Sequence, residues 1–117
     1  MSRERAKGTR FETQVVNYLR ENGMKAARQP MHGSADEGDV VCDFARLDMV
    51  VECKNRKSMS PGWLMGLVDE AVAERDNANA SFGIGVCHRD GCGEGNMGKS
   101  IVVMELDTLL DIWRVAR

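Results

Sequence analysis

Apolar positions recur along the chain with two different periods, and the switches between them outline a fold. Phe11, Val15, Tyr18 and Leu19, followed by Asn22, fall at three- and four-residue steps, and Val16 widens the stripe. That spacing predicts a helix over residues 9–22. Gly23 stops it, because glycine accepts the left-handed conformation that closes a helix. Residues 24–29 read as a short edge strand, and residues 30–38, PMHGSADEG, as a loop. Residues 39–44 (DVVCDF) and 49–54 (MVVECK) are β-branched runs separated by four residues, which predicts a hairpin.

Ser60 followed by Pro61 is an N-cap and first-turn signal, after which Leu64, Leu67, Val68, Ala71 and Val72 mark one face of a helix running to about residue 77. Residues 82–88 and 100–105 read as two further strands around a glycine-rich loop, 89–99. Asp107 is placed to cap a last helix bearing Leu109, Leu110 and Trp113. The order α-β-β-β-α-β-β-α predicts an α/β fold with a mixed central sheet of about five strands flanked by helices.

Length and composition narrow this picture. The chain has 117 residues, room for one domain and one core but not two. Only six residues are aromatic, so aliphatic and Met side chains must fill that core. The net charge of −2 argues against bulk attraction to a polyanion. Residues 1–28 nevertheless hold seven Lys or Arg against three Glu, a local excess of four positive charges. No apolar run approaches the length of a membrane span, and the charged start MSRERAKGTRFE does not read as a signal peptide. A cytoplasmic protein with reduced thiols at Cys42, Cys53, Cys87 and Cys92 is the expectation.

The hairpin carries the candidate chemistry. If Phe44 pairs with Met49, Asp39 faces Lys54 and Val41 faces Glu52, so Asp39, Glu52 and Lys54 share one surface while Cys42 and Cys53 point to the other. Two carboxylates converging with an ammonium are costly unless neutralised, and a hard divalent cation with oxygen ligands does so. Such an ion can polarise a phosphodiester and lower the pKa of a bound water, with Lys54 positioning that water or offsetting developing charge. The same residues also fit a solvated sheet face with a weak cross-strand ion pair, and spacing alone does not separate the two. Asp43 lies on the same face, nearer the turn, as a substitute ligand for Asp39.

The step of thirteen residues from Asp39 to Glu52-Cys53-Lys54, at the end of an apolar strand, resembles the motif of the PD-(D/E)XK nuclease superfamily. Upstream, KGTRFETQVVNYLRENG is similar to the first helix of the archaeal-type Holliday junction resolvases and their phage relatives, with Glu12 at the acidic position. The resemblance covers nearly the whole chain. It departs from the usual pattern where Gly38 replaces the Pro before the Asp.

The resemblance implies a restriction-endonuclease-like core and a single nuclease domain over 1–117. It implies a Mg2+-dependent endodeoxyribonuclease, with Mn2+ as a substitute, acting on four-way junctions in the cytoplasm, that of the host if phage-encoded. Asp39 and Glu52 would bind the metal, the Cys53 carbonyl would be a further ligand, Lys54 would assist the attacking water and Glu12 would complete the acidic cluster. A broader branched-DNA, nicking or restriction-like nuclease would use the same residues, and a DNA-binding module without turnover would keep the same fold. Thr9-Arg10-Phe11-Glu12 also reads as a capping box, which would tie Glu12 to the helix start instead. Ser34 lies in the loop where the archaeal resolvases carry a functional serine.

Arg3, Arg5, Lys7 and Arg10 near the Glu12 helix, and Arg56 and Lys57 just after Lys54, are candidate phosphate contacts, with His88, Arg89 and Lys99 as weaker ones. Ordinary solvated charge explains each of them individually as well. Two symmetric cuts from a chain with one metal site call for a twofold homodimer. The last helix, with Leu109, Leu110, Ile112 and Trp113, is the candidate interface, and core packing is the alternative. GEGNMGKS, residues 93–100, matches the letters of a phosphate-binding loop, yet it leads into a β-branched run rather than a helix, so no nucleotide triphosphate is expected. Cys87, His88 and Cys92 lack the paired spacing and fourth ligand of a zinc site.

Overall fold

The computed structural model describes residues 3–29, 39–44 and 47–116. Its first helix, α1 (Arg3–Glu21), begins six residues before the apolar stripe predicts. The added turns, RERAKG, are built largely of good helix formers but carry no apolar stripe, so hydrophobic periodicity is blind to them. Thr9 is therefore a helix-interior residue whose carbonyl accepts a bond from the Thr13 hydroxyl at 3.1 Å. The capping-box reading of Thr9 and Glu12 is overturned, and Glu12 is left available for other partners.

Five strands follow the predicted order. β1 (Lys25–Arg28), β2 (Val40–Phe44), β3 (Leu47–Lys54), β4 (Phe82–Cys87) and β5 (Ile101–Val103) stand side by side in that sequence. All neighbours are antiparallel except β3 and β4, which run parallel. The parallel pair is joined through α2 (Pro61–Ala78), the long crossover such a pair requires. α2 starts as the sequence indicates, with the Ser60 hydroxyl accepting the Trp63 N–H at 3.2 Å. The glycine-rich stretch contains a 3-10 segment, Glu94–Lys99, that leads straight into β5. α3 (Leu106–Ala116) begins before Asp107, which lies in its first turn and is not its cap.

The hairpin register differs from the expected one by two residues. Phe44 lies opposite Leu47, Val41 opposite Val50 and Val40 opposite Val51. The predicted pairing had placed Leu47 and Asp48 in the turn; both belong to β3. A slip of two preserves the face of every side chain, since the strand period is two. The division into faces predicted from the wrong register therefore survives.

The two faces are covered by different helices. On one, α1 seals Phe11, Val15 and Val16 against Ala26, Val40, Cys42, Val51, Cys53 and Val86. On the other, α2 brings Leu67 and Ala71 onto β4. Close approach there depends on two glycines: a Cβ on Gly83 would collide with the Ala71 carbonyl oxygen, and one on Gly85 with the Leu67 side chain. Among the described residues no helix is long and apolar enough to cross a membrane.

Candidate active site at the β2–β3 edge

The candidate residues converge where β2 begins and β3 ends. Asp39 immediately precedes β2, and its backbone carbonyl accepts the Gln29 N–H at 2.7 Å, which continues the β1–β2 ladder by one pair. Its side chain turns to the neighbouring strand, where Oδ2 accepts the Cys53 N–H at 2.9 Å. A carboxylate anchored by a backbone amide has a fixed orientation, and it sits between Glu52 and Lys54 in chain order on β3. In the observed register Asp39 falls opposite Glu52, not opposite Lys54 as predicted.

Glu52 and Lys54 project on the α2 side of the sheet, away from Cys53. Glu52 is only 2% exposed. Its Oε1 receives the Lys54 ammonium at 3.3 Å, while its Oε2 is buried without a hydrogen-bond partner. Burial above all, then the adjacent Glu74 carboxylate and the charge of Asp39, pushes its pKa far above the usual carboxylate range. Lys54 also reaches Glu70 Oε1 at 3.5 Å. Burial works to lower the Lys54 pKa, but Glu52, Glu70 and Asp39 outweigh it and the net shift is upward. The ammonium is thus charged at neutral pH and suited to stabilising negative charge, not to accepting a proton.

Glu12 lies on the opposite side of the sheet edge, on α1, ion-paired with Arg28 at 3.5 Å. Burial, followed by the charge of Asp39, raises its pKa. Asp39 therefore acts on both Glu12 and Glu52 and is the electrostatic centre of the site. Asp43 is far from it, exposed and paired with Asp48, lining a cavity of about 360 Å³ with Lys25 and Ala78. Ser34 lies outside the described residues.

Arg3, Arg5, Lys7 and Arg10 are exposed along α1, and Arg56 and Lys57 are exposed just after β3. The Arg56 guanidinium rests 5.2 Å from the centre of the Trp63 ring. His88 packs its ring edge-on to Phe11 and is half-buried. Cys42, Cys53, Cys87 and Cys92 are free thiols.

A family model for the archaeal Holliday junction resolvases matches residues 3–62, just over half of the chain. The chain belongs to the archaeal Holliday junction resolvase family. The solved structure of a Holliday junction resolvase from Archaeoglobus fulgidus, an archaeal hyperthermophile, matches with a TM-score of 0.51 at 24% identity, over 74% of this chain and 68% of that one. That likeness bears on the fold. No curated protein matches.

The part of this resolvase-family chain that the family model spans ends at the second residue of α2, and the structure adds two acidic residues beyond it. Among the described residues, Glu52, Glu70 and Glu74 form an acidic group in which one oxygen from each lies within 4.8 Å of the others. Asp39 and Glu12 stand outside that group. Sequence reading passed over Glu70 and Glu74, although a signal was present. Glu74 falls three residues after Ala71 and seven after Leu67, on the very stripe that buries α2, and it is itself buried. A charged residue at a core position of an amphipathic helix is the anomaly that marks it.

Proposed function

We propose that this protein is a Mg2+-dependent endonuclease that resolves four-way DNA junctions as a homodimer. The observation that carries the reading is the orphaned, buried Oε2 of Glu52 beside an Asp39 held in place by the Cys53 amide, in a chain of the resolvase family. A set of carboxylate oxygens and a backbone carbonyl suits a hard divalent cation. Asp39, Glu52 and the Cys53 carbonyl are the ligands in this reading, and Glu12 completes the acidic surroundings. Such an ion supplies Lewis-acid polarisation of the phosphodiester and a more acidic water.

The chain's own residues do the remainder. Lys54, kept protonated by Glu52 and Glu70, orients the attacking water and offsets charge growing on the phosphate oxygens. The basic stripe of α1, Arg3, Arg5, Lys7 and Arg10, with Arg56 and Lys57, holds the flanking phosphates. Leu106, Leu109, Leu110 and Trp113 leave an apolar face of α3 exposed, which suits the twofold contact that two symmetric cuts require.

The test is cleavage of labelled four-way junctions, linear duplex, flaps and single strands, with and without Mg2+. Paired symmetric nicks in junctions only, dependent on Mg2+ and absent in Asp39→Ala and Lys54→Ala, are expected. Equal cleavage by the two variants overturns the site assignment; preference for flaps or single strands overturns the substrate while leaving the nuclease.

A further inference from the structure

We propose that Glu70 and Glu74 of α2, together with Glu52, form a second divalent-cation site on the α2 side of the sheet. One carboxylate oxygen from each of the three lies within 4.8 Å of the others, the spread that ligands of one small hard cation occupy. An acidic cluster alone is commonplace, but this one has a second feature. Glu52 is 98% buried, its Oε1 faces Lys54, its Oε2 is buried and unsatisfied, and its carboxyl group stands against that of Glu74. A buried carboxylate oxygen left in that state costs free energy unless something satisfies it.

Charge balance gives the class of ligand. Fully ionised, the three carboxyl groups and the single ammonium of Lys54 would carry a net charge of −2, which one divalent cation cancels. The Lys54 ammonium occupies the Oε1 side of both Glu52 and Glu70, at 3.3 and 3.5 Å, so it does not fill the space at Oε2 of Glu52. The helix supplies its two ligands at positions i and i+4, one turn apart on one face, which is the spacing by which a helix presents two groups to a common point. Neither residue lies in the segment that the resolvase family model spans. Glu52 is then shared between a site with Asp39 and a site with Glu70 and Glu74. The inference rests on the nuclease reading only through that shared residue.

The experiment counts Mn2+ bound per chain by electron paramagnetic resonance in the wild type, Glu70→Gln, Glu74→Gln and Asp39→Asn, with circular dichroism to verify folding. Glu70 is the safer variant, since its side chain is 41% exposed. Two ions per wild-type chain, falling to one in either α2 variant and to one in Asp39→Asn, is the expected result. One ion in the wild type that persists in both α2 variants overturns the proposal and leaves a shared proton as what joins the carboxyl groups. One ion that is lost in the α2 variants but kept in Asp39→Asn supports the α2 site and overturns the ligand role of Asp39. No bound ion overturns both.

Discussion

The two faces of the sheet are built on opposite principles. The α1 face is filled: Phe11, Val15 and Val16 interlock with Val40, Cys42, Val51 and Cys53, and its one acidic residue near the site, Glu12, has Arg28 as a partner. The α2 face is close-fitting where Gly83 and Gly85 admit Ala71 and Leu67 of the helix, and electrostatically frustrated where Glu52, Glu70 and Glu74 cluster, with Lys54 paired to the first two. The first face holds the larger apolar core, and the second holds the buried, unsatisfied acidic groups. Proteins keep strained or unsatisfied groups where function requires them, and offset them with well-packed regions elsewhere.

The comparison is broken most severely from the filled side. Phe11→Ala removes a ring that is 1% exposed and should cost about 3–5 kcal/mol in denaturant unfolding. On the other face Gly83→Ala adds volume where none is available, and about 1–3 kcal/mol is expected by the same measurement. The glycine variant should lose less than the Phe11 variant; no loss in it would show that α2 does not lie as close as described.

A third measurement isolates the frustration itself. The folded-state pKa of Glu52 is pushed up to about 11 from an ordinary value of 4.5, so the folded protein favours the protonated form. The associated stability is complete below about pH 4.5 and is lost progressively as pH rises toward the folded value. In EDTA the protein should therefore unfold more easily at pH 8 than at pH 5, by up to about 4 kcal/mol. Glu12 shifts in the same direction and adds to the trend, whereas the Lys54 shift acts only above its ordinary pKa of 10.5. Added Mg2+ should flatten the slope at pH 8 by binding the ionised folded form. The smallest effect belongs to the surface: Arg10→Ala should weaken junction binding only a few-fold and reduce its salt dependence by about one phosphate contact.

Most of the architecture could be read from the apolar pattern, because β3 and β4 hold apolar runs buried on both faces and α2 buries three-four spaced residues. The start of α1 could not, since its first two turns carry no apolar stripe. The register was misread by two because Leu47 and Asp48 look like turn residues beside Ala45 and Arg46, yet the face assignment held, as a slip of two must leave it. Asp39, Glu52 and Lys54 were legible through their spacing and their likeness to a nuclease motif. Glu70 and Glu74 were not, because their meaning depends on which strand α2 covers, and only the fold brings that helix over Glu52.

The most direct test is Glu52→Gln, followed by melting in EDTA at pH 8 and by four-way junction cleavage in Mg2+. Gln keeps the shape and removes the charge, so the account predicts a higher melting temperature than wild type together with a loss of cleavage of at least about 100-fold. Cleavage at the wild-type rate would contradict it.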